Sequence, residues 1–313
     1  MKFGVNILNF GPGANPRNLR RWAEVAEELG YHFVMISDHV ANTPDVEGPF
    51  PAPFYDPFIV LAWLSEVTKK VELGTTVTIL PYRHPLLTAR MAADIDQLSG
   101  GRFIFGVGAG WAKQEFEALG IPFERRGAIA NEYLSVIREF WTKNIVSHEG
   151  RFVRFRDVTT GPHPMRSPHP PIWVGGSSEG ALRRAVRFGD AWHPTRVRVD
   201  RLRNDSLPQL QKIAAEETLP VPALCPRLKL RITEAPLAEE VRLAGQGTLE
   251  QIHSDLEALS ELGAQYVLFD TYDDRPDATA HPERDWASLS LLGERVLDAS
   301  LPSRKEKAEG KHD

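Results

Sequence analysis

An α/β fold, a closed (β/α)8 barrel, is predicted by three observations on this sequence. Strand-like and helix-like segments alternate along the chain, which demands a parallel sheet. Eight such units fit within 313 residues, the size of one large barrel. No linker divides them, so residues 1–301 read as a single domain.

The first strand, Phe3–Leu8, precedes a helix opened by Asn15-Pro16, a capping side chain followed by a proline whose missing N–H costs nothing there. Leu19, Trp22, Val25, Ala26 and Leu29 share one helical face, and Gly30 ends it. The second strand is Phe33–Ser37, with its helix starting at Asp56-Pro57. The third is the β-rich run Val71–Leu80, followed by a helix over Pro85–Leu98. The fourth, Phe103–Val107, alternates bulky residues with Gly106 and runs on through Gly108 and Gly110. Glycine weakens a strand, so three in alternation imply that another backbone or a flat ligand lies close. A helix from Gly127 to Trp141 follows.

The second half repeats the pattern. Val146–Glu149 and Arg151–Phe155 flank Gly150 as a hairpin, so residues 144–170 read as an insertion before strand five. Strand five, Pro171–Gly175, leads into helix Glu179–Phe188. Strand six, Asp190–His193, leads into helical sequence to Glu217, interrupted at Pro208. Strand seven is Arg227–Ile232; its helix opens with the capping box Thr248/Gln251 and turns Leu249, Ile252, Leu256 and Leu259 inward. Strand eight is Tyr266–Asp270, and a last helix covers Asp285–Asp298. The Lys/Glu-rich tail, 302–313, reads as frayed.

A formal charge of −5 leaves no basic footprint for nucleic acid or an anionic membrane. The lone Cys225 cannot form an internal disulfide. No apolar run approaches the roughly 20 residues of a membrane span, and the N-terminus enters a strand without a signal-like apolar core. These features fit a cytoplasmic protein acting on a small-molecule substrate.

In such a barrel the loops after the strands carry function. Four are long: 38–56, 109–126, 233–247 and 271–283. Strand two ends in Ser37-Asp38-His39. A histidine can exchange the proton that accompanies oxidation of an alcohol or reduction of a double bond, and Asp38 could orient its ring. The plainer roles are a turn cap for Asp38 and a carbonyl bond for His39. Strand five ends in Gly175-Gly176-Ser177-Ser178 at a helix start, where free N–H groups and the helix dipole suit a phosphate. Capping by Ser177 or Ser178 alone would also explain that turn. Arg183, Arg184, Arg196 and Arg198 lie nearby in sequence and could attract further anionic groups. Strand three carries Thr75-Thr76-Val77, with alternate threonines directed into the barrel, and His84 better suits a cap before Pro85 than catalysis. Trp111 either walls a flat ligand or seals the barrel top.

Dinucleotide-binding, Walker, zinc-protease and nucleophile-elbow motifs are absent. Asp38 and His39 with Asp270 or Glu115 are the alternative set, as metal ligands on a barrel rim. Neighbouring strand residues point to opposite faces, which disfavours that set, and no metal is expected.

Taken in order, Ser37-Asp38-His39, Gly74-Thr75-Thr76-Val77, Pro81-Tyr82-Arg83-His84-Pro85, Leu98-Ser99-Gly100-Gly101-Arg102-Phe103 through Gly110-Trp111, Pro171-Ile172-Trp173-Val174-Gly175-Gly176-Ser177 and Gly189-Asp190-Ala191-Trp192 resemble the bacterial-luciferase-like flavin and deazaflavin oxidoreductases over nearly the whole chain. The resemblance implies a TIM barrel with a ring cofactor across the strand C-termini, and a cis peptide at Thr76–Val77. It implies a cofactor phosphate at Gly175–Ser178, with Thr75, Thr76, Val77, Gly108, Gly110, Trp111 and His193 completing the cofactor set. It resembles the coenzyme F420 group more than the FMN monooxygenases, which places His39 near the reactive ring carbon. The sugar-phosphate dehydrogenases of that group carry an acid where Trp111 stands, so a less polar substrate fits better. The expected activity is hydride transfer between F420 and a small organic substrate. The alternatives are an FMN monooxygenase fed by a separate reductase and a barrel that binds without turnover. Similar proteins commonly form homodimers.

Overall fold

In the computed structural model the described residues are 1–297; the tail 302–313 and the end of the last expected helix lie outside them. The first half runs β1 (Lys2–Ile7), α1 (Pro16–Glu28), β2 (Phe33–Ile36), α2 (Pro44–Glu47), α3 (Pro57–Val67), β3 (Glu72–Thr75) and β4 (Thr78–Ile79). It continues with α4 (Pro85–Leu98), β5 (Phe103–Gly108), α5 (Lys113–Ala118), α6 (Arg126–Thr142) and the antiparallel pair β6 (Ile145–Glu149) and β7 (Arg154–Thr159). Then come β8 (Ile172–Gly175), α7 (Glu179–Phe188), β9 (Ala191–His193), α8 (Val199–Arg201) and α9 (Leu207–Glu217). The chain finishes with β10 (Ala223–Leu224), β11 (Arg227–Lys229), β12 (Arg231–Ile232), β13 (Gln246–Gly247), α10 (Leu249–Glu261), β14 (Tyr266–Asp270) and α11 (Pro282–Leu292).

Nine strands make one curled parallel sheet in the order β10-β9-β8-β5-β3-β2-β1-β14-β11, with β4 paired to β5. The segment 223–229 touches both ends of that order. Cys225 N donates to Trp192 O and Leu268 N donates to Pro226 O, each at 2.9 Å. The strand period of two sorts the side chains. Phe33, Met35, Ile104, Trp173, Ala191, Cys225 and Leu268 pack together as a core inside the curl. Val34, Ile36, Phe103, Phe105, Ile172 and Val174 turn to the larger core beneath the helices.

The helix signals hold where they are local. Asn15 accepts from Asn18 N, Asp56 from Phe58 N and Ile59 N, and Thr248 forms the reciprocal capping box with Gln251. Departures cluster at prolines and long loops. The third strand breaks after Thr75; the Thr76–Val77 peptide is cis, and Leu80–Tyr82 is a 3-10 turn because Pro81 has no N–H for a ladder. The seventh strand, Arg227–Ile232, divides into β11 and β12; β12 leaves the main sheet to pair with β13, and the short β10 precedes them at the other end of the sheet order. Ahead of Pro208 the helix widens into a π segment over Leu202–Ser206. The last helix starts at Pro282 rather than Asp285. Two long loops contain short helices, α2 and α5, that the sequence reading left irregular.

The glycine strand resolves in favour of backbone. A Cβ on Gly106 would stand 1.8 Å from Thr75 O, and one on Gly108 2.7 Å from a Val77 methyl. These glycines therefore admit the Thr75–Val77 segment.

Candidate active site

At the carboxyl ends of the strands lies a cavity of about 680 Å³. The loop after β2, the end of β5 with the turn that follows it, the α7 N-terminus and the ends of β11 and β14 meet around it.

One side is built around His39. Its ring is buried, with Phe50 stacked at 5.5 Å and Phe54 and Trp111 edge-on at 5.3 and 5.7 Å. Nδ1 sits 2.6 Å from Glu115 Oε2, and Tyr82 OH donates to the same oxygen at 2.8 Å. Glu115 Oε1 accepts from Val40 N at 2.6 Å and Ala41 N at 3.0 Å. Burial by itself would raise the Glu115 carboxyl. The bonds from His39 and from the Ala41 and Val40 amides outweigh burial and hold it below the usual carboxylate range. Burial, reinforced by the bond to Glu115, pushes the Tyr82 phenol up, so it stays a donor.

Asp38 does not hold that ring. Its oxygens take Arg83 Nη1 and Nη2 at 2.7 and 2.8 Å and Ile79 N at 2.9 Å. Arg83 also reaches Asp56 at 2.7 Å, tying the end of β2 to the cap of α3. The expectation that Asp38 orients His39 is therefore corrected to Glu115. The cue lay in the spacing Ala112, Glu115, Phe116, Leu119, an i, i+3, i+4, i+7 stripe with an acid set among apolar residues.

The other side is cationic. Gly175, Gly176, Ser178, Ala181, Arg126 and Arg184 line it, and Ser178 caps α7. Gly176 has φ +104°, and a Cβ there would press on Ala181 Cβ at 3.0 Å. Arg184 is buried; among the described residues it donates to Asn131 Oδ1 at 2.8 Å and Gly127 O at 3.1 Å. Arg126 donates to Gly110 O and Phe123 O and lies 3.9 Å over the Phe123 ring. Among the described residues neither arginine has a carboxylate partner. A buried guanidinium short of negative charge, beside the open amides of a helix start, fits an incoming phosphate. Arg183 faces outward onto Glu179, Glu216 and Glu217, and Arg198 pairs with Asp200. Arg196 lines the cavity but is paired with Asp274 at 2.7 Å.

At the cavity wall, Asp270 is buried and accepts from Asn6, Arg227 and the Tyr272 amide, with Lys229 Nζ at 3.0 Å. Burial opposes its charge, but Arg227 and Lys229 hold the carboxyl below its ordinary range. His193 lies next to this network. Its Nδ1 faces Cys225 O, and Nε2 is 3.0 Å from Thr76 Oγ1.

Of the residues expected at the site, Asp38, His39, Thr76, Val77, Gly108, Gly110, Trp111, Gly175, Gly176 and Ser178 border one cavity. Thr75, Ser177 and His193 do not. Thr75 is buried and donates to Gly106 O at 2.6 Å, Ser177 points to the exterior, and His193 is below the floor. Phe50, Arg126, Arg227 and Lys229 border it as well and were not singled out from sequence.

The luciferase-like monooxygenase family model matches residues 1–295. The chain belongs to this family. Among relatives of the luciferase-like chain, the FMNH(2)-dependent dimethylsulfone monooxygenase of Pseudomonas putida is 31% identical over 179 residues, 56% of this chain and 47% of that protein. Two solved structures share the fold at lower identity. An F420-dependent secondary alcohol dehydrogenase in complex with an F420–acetone adduct has TM-score 0.76 at 17% identity, covering 94% of this chain and 98% of that one. The oxygenating constituent of 3,6-diketocamphane monooxygenase from Pseudomonas putida, in complex with FMN, has TM-score 0.73 at 18% identity, covering 97% and 99%. The fold is thus shared with both an F420 enzyme and an FMN enzyme. No described helix is long and apolar enough to cross a membrane.

Proposed function

We propose that this chain is an oxidoreductase passing a hydride between coenzyme F420 and a small organic substrate, with His39 carrying the accompanying proton. The observation that carries this reading is one cavity bordered by both the Arg126–Arg184–α7 cradle and the aromatic pocket of His39. When bound, the deazaflavin supplies the carbon that accepts or donates hydride. Arg184, Arg126, Ser178 and the first amides of α7 would hold its phosphate. Gly175 and Gly176 leave room beside that cradle, while Thr76, Val77, Gly108 and Gly110 border the floor. Phe50 and Trp111 exclude water around His39, whose Nε2 has no protein partner among the described residues and can hold the substrate proton.

The FMN reading shares every cradle residue. It is favoured by the 31% identity to the dimethylsulfone monooxygenase, higher than that to either solved structure above. On that reading a separate reductase supplies reduced flavin.

The same proposal reads the curled sheet as a closed eight-unit barrel spanning 1–301, with 144–170 inserted, in a cytoplasmic enzyme. A homodimer is part of it, supported by the outward apolar side chains Ile59, Trp63 and Leu87 on α3 and α4.

Titrating F420 and FMN separately against the protein, by fluorescence quenching, tests the cofactor. F420 is expected to bind at micromolar concentration with FMN much weaker; the opposite order installs the monooxygenase. Arg184→Met should weaken whichever binds by about 10–100-fold, the worth of one charge-assisted hydrogen bond. Unchanged affinity would remove the phosphate from this cradle.

A further inference from the structure

We infer that Glu115 is the positioning residue of this site: it keeps the proton of neutral His39 on Nδ1 and presents a bare Nε2 to the cavity. The inference rests on the proton-carrying role of His39 proposed above, but its test does not.

Glu115 is fully buried and has its four contacts divided between two jobs. Oε1 takes the amides of Val40 and Ala41, the two residues that follow His39, and so fixes the backbone beside the ring. Oε2 takes the ring itself, at 2.6 Å, together with Tyr82 OH. A carboxylate offers only acceptors, so a ring nitrogen at this distance must carry hydrogen. One proton on a neutral imidazole then sits on Nδ1, and Nε2 is left as a lone pair. Carriage of a substrate proton needs that lone pair: it takes the proton from an alcohol in oxidation and returns it in the reverse direction. The Glu115 charge also stabilises the imidazolium formed in between. Protonating Glu115 would weaken the bonds it accepts from the Val40 and Ala41 amides and from Tyr82 OH, and these donors favour the anion.

The structure dictates what an amide would do in its place. In Glu115→Gln the carbonyl oxygen must remain with the Val40 and Ala41 amides, because an NH2 there would meet two N–H groups. The NH2 is then directed at His39 Nδ1, where it can only donate. The ring must move its proton to Nε2.

Histidine-labelled protein in nitrogen-15 NMR reads the tautomer without any cofactor. The chain has ten histidines, so His39 is assigned by the signal lost in His39→Gln. The neutral wild-type ring is expected with hydrogen on Nδ1, and Glu115→Gln with hydrogen on Nε2. Tyr82→Phe removes a donor but keeps the charge, and should leave the hydrogen on Nδ1. A wild-type ring protonated on Nε2 overturns the inference even if no variant folds. So does an unmoved proton in Glu115→Gln, or a proton that moves equally in Tyr82→Phe. With turnover assayed, Glu115→Gln should lose about a hundredfold in kcat with little change in KM. A switched tautomer with no loss of turnover keeps Glu115 as the positioning residue and rejects His39 as proton carrier.

Discussion

Two histidines stand at the carboxyl ends of strands of one sheet, with β3, β5 and β8 between them, and their surroundings make them opposites. His39, just past β2, has a carboxylate on Nδ1 and a cavity before it. His193, at the end of β9, has a backbone carbonyl on Nδ1 and a threonine hydroxyl on Nε2, and it is fully enclosed. Burial pushes the His193 imidazole down to about 4; the carbonyl of Cys225 pulls weakly the other way and the Arg227 charge adds to the depression. His193 is thus neutral at physiological pH and fully hydrogen-bonded as a structural group. Residue type and place on the strand do not separate these two environments; the partner on Nδ1 does. The carboxylate beside His39 leaves its other nitrogen to the cavity, whereas both nitrogens of His193 are tied up and burial keeps that ring neutral.

Exchanging the histidines by mutation gives the largest contrast. His39→Ala should lower kcat by about 10²–10⁴-fold while cofactor binding persists, the range for removing a general acid–base group. Near-intact turnover in a steady-state assay would erase the distinction drawn above.

His193 should show itself in stability instead. Its folded value of about 4 lies below the usual 6.5 of the unfolded chain, so between these the unfolded state binds more protons. The stabilisation is complete above pH 6.5 and is lost as pH falls through about 4, an effect on the order of 3 kcal/mol. Urea denaturation from pH 4 to 8 should find this limb in the wild type and a flatter one in His193→Gln. Equal slopes would mean that His193 takes up a proton in the fold. A smaller effect is expected at Thr76. Thr76→Val leaves the buried Nε2 of His193 without its donor and should cost about 1–3 kcal/mol at neutral pH in the same measurement. No loss there would make the 3.0 Å contact incidental.

Much of the architecture was legible because its signals are short-range. The caps at Asn15, Asp56 and Thr248, and the prolines beside the first two, mark helix starts through bonds made within three residues. Where the chain answers to distant neighbours, local reading fell short. The run Val71–Leu80 looks like one strand, yet it breaks where Thr76–Val77 meets the Gly106–Gly108 backbone. Ser37-Asp38-His39 marks a site, yet its adjacent acid is taken by Arg83, 45 positions on, while the ring goes to Glu115, 76 positions on.

By itself the sequence determined the alternation of strands and helices, the helix boundaries and the strand ends at which chemistry collects, because period and capping act over a few residues. Tertiary structure alone decided which carboxylate meets His39, which arginines lack an anion and which histidine is shut away. Those outcomes depend on side chains converging from separate turns of the sheet, and on the dielectric cost of a charge once water has been excluded around it.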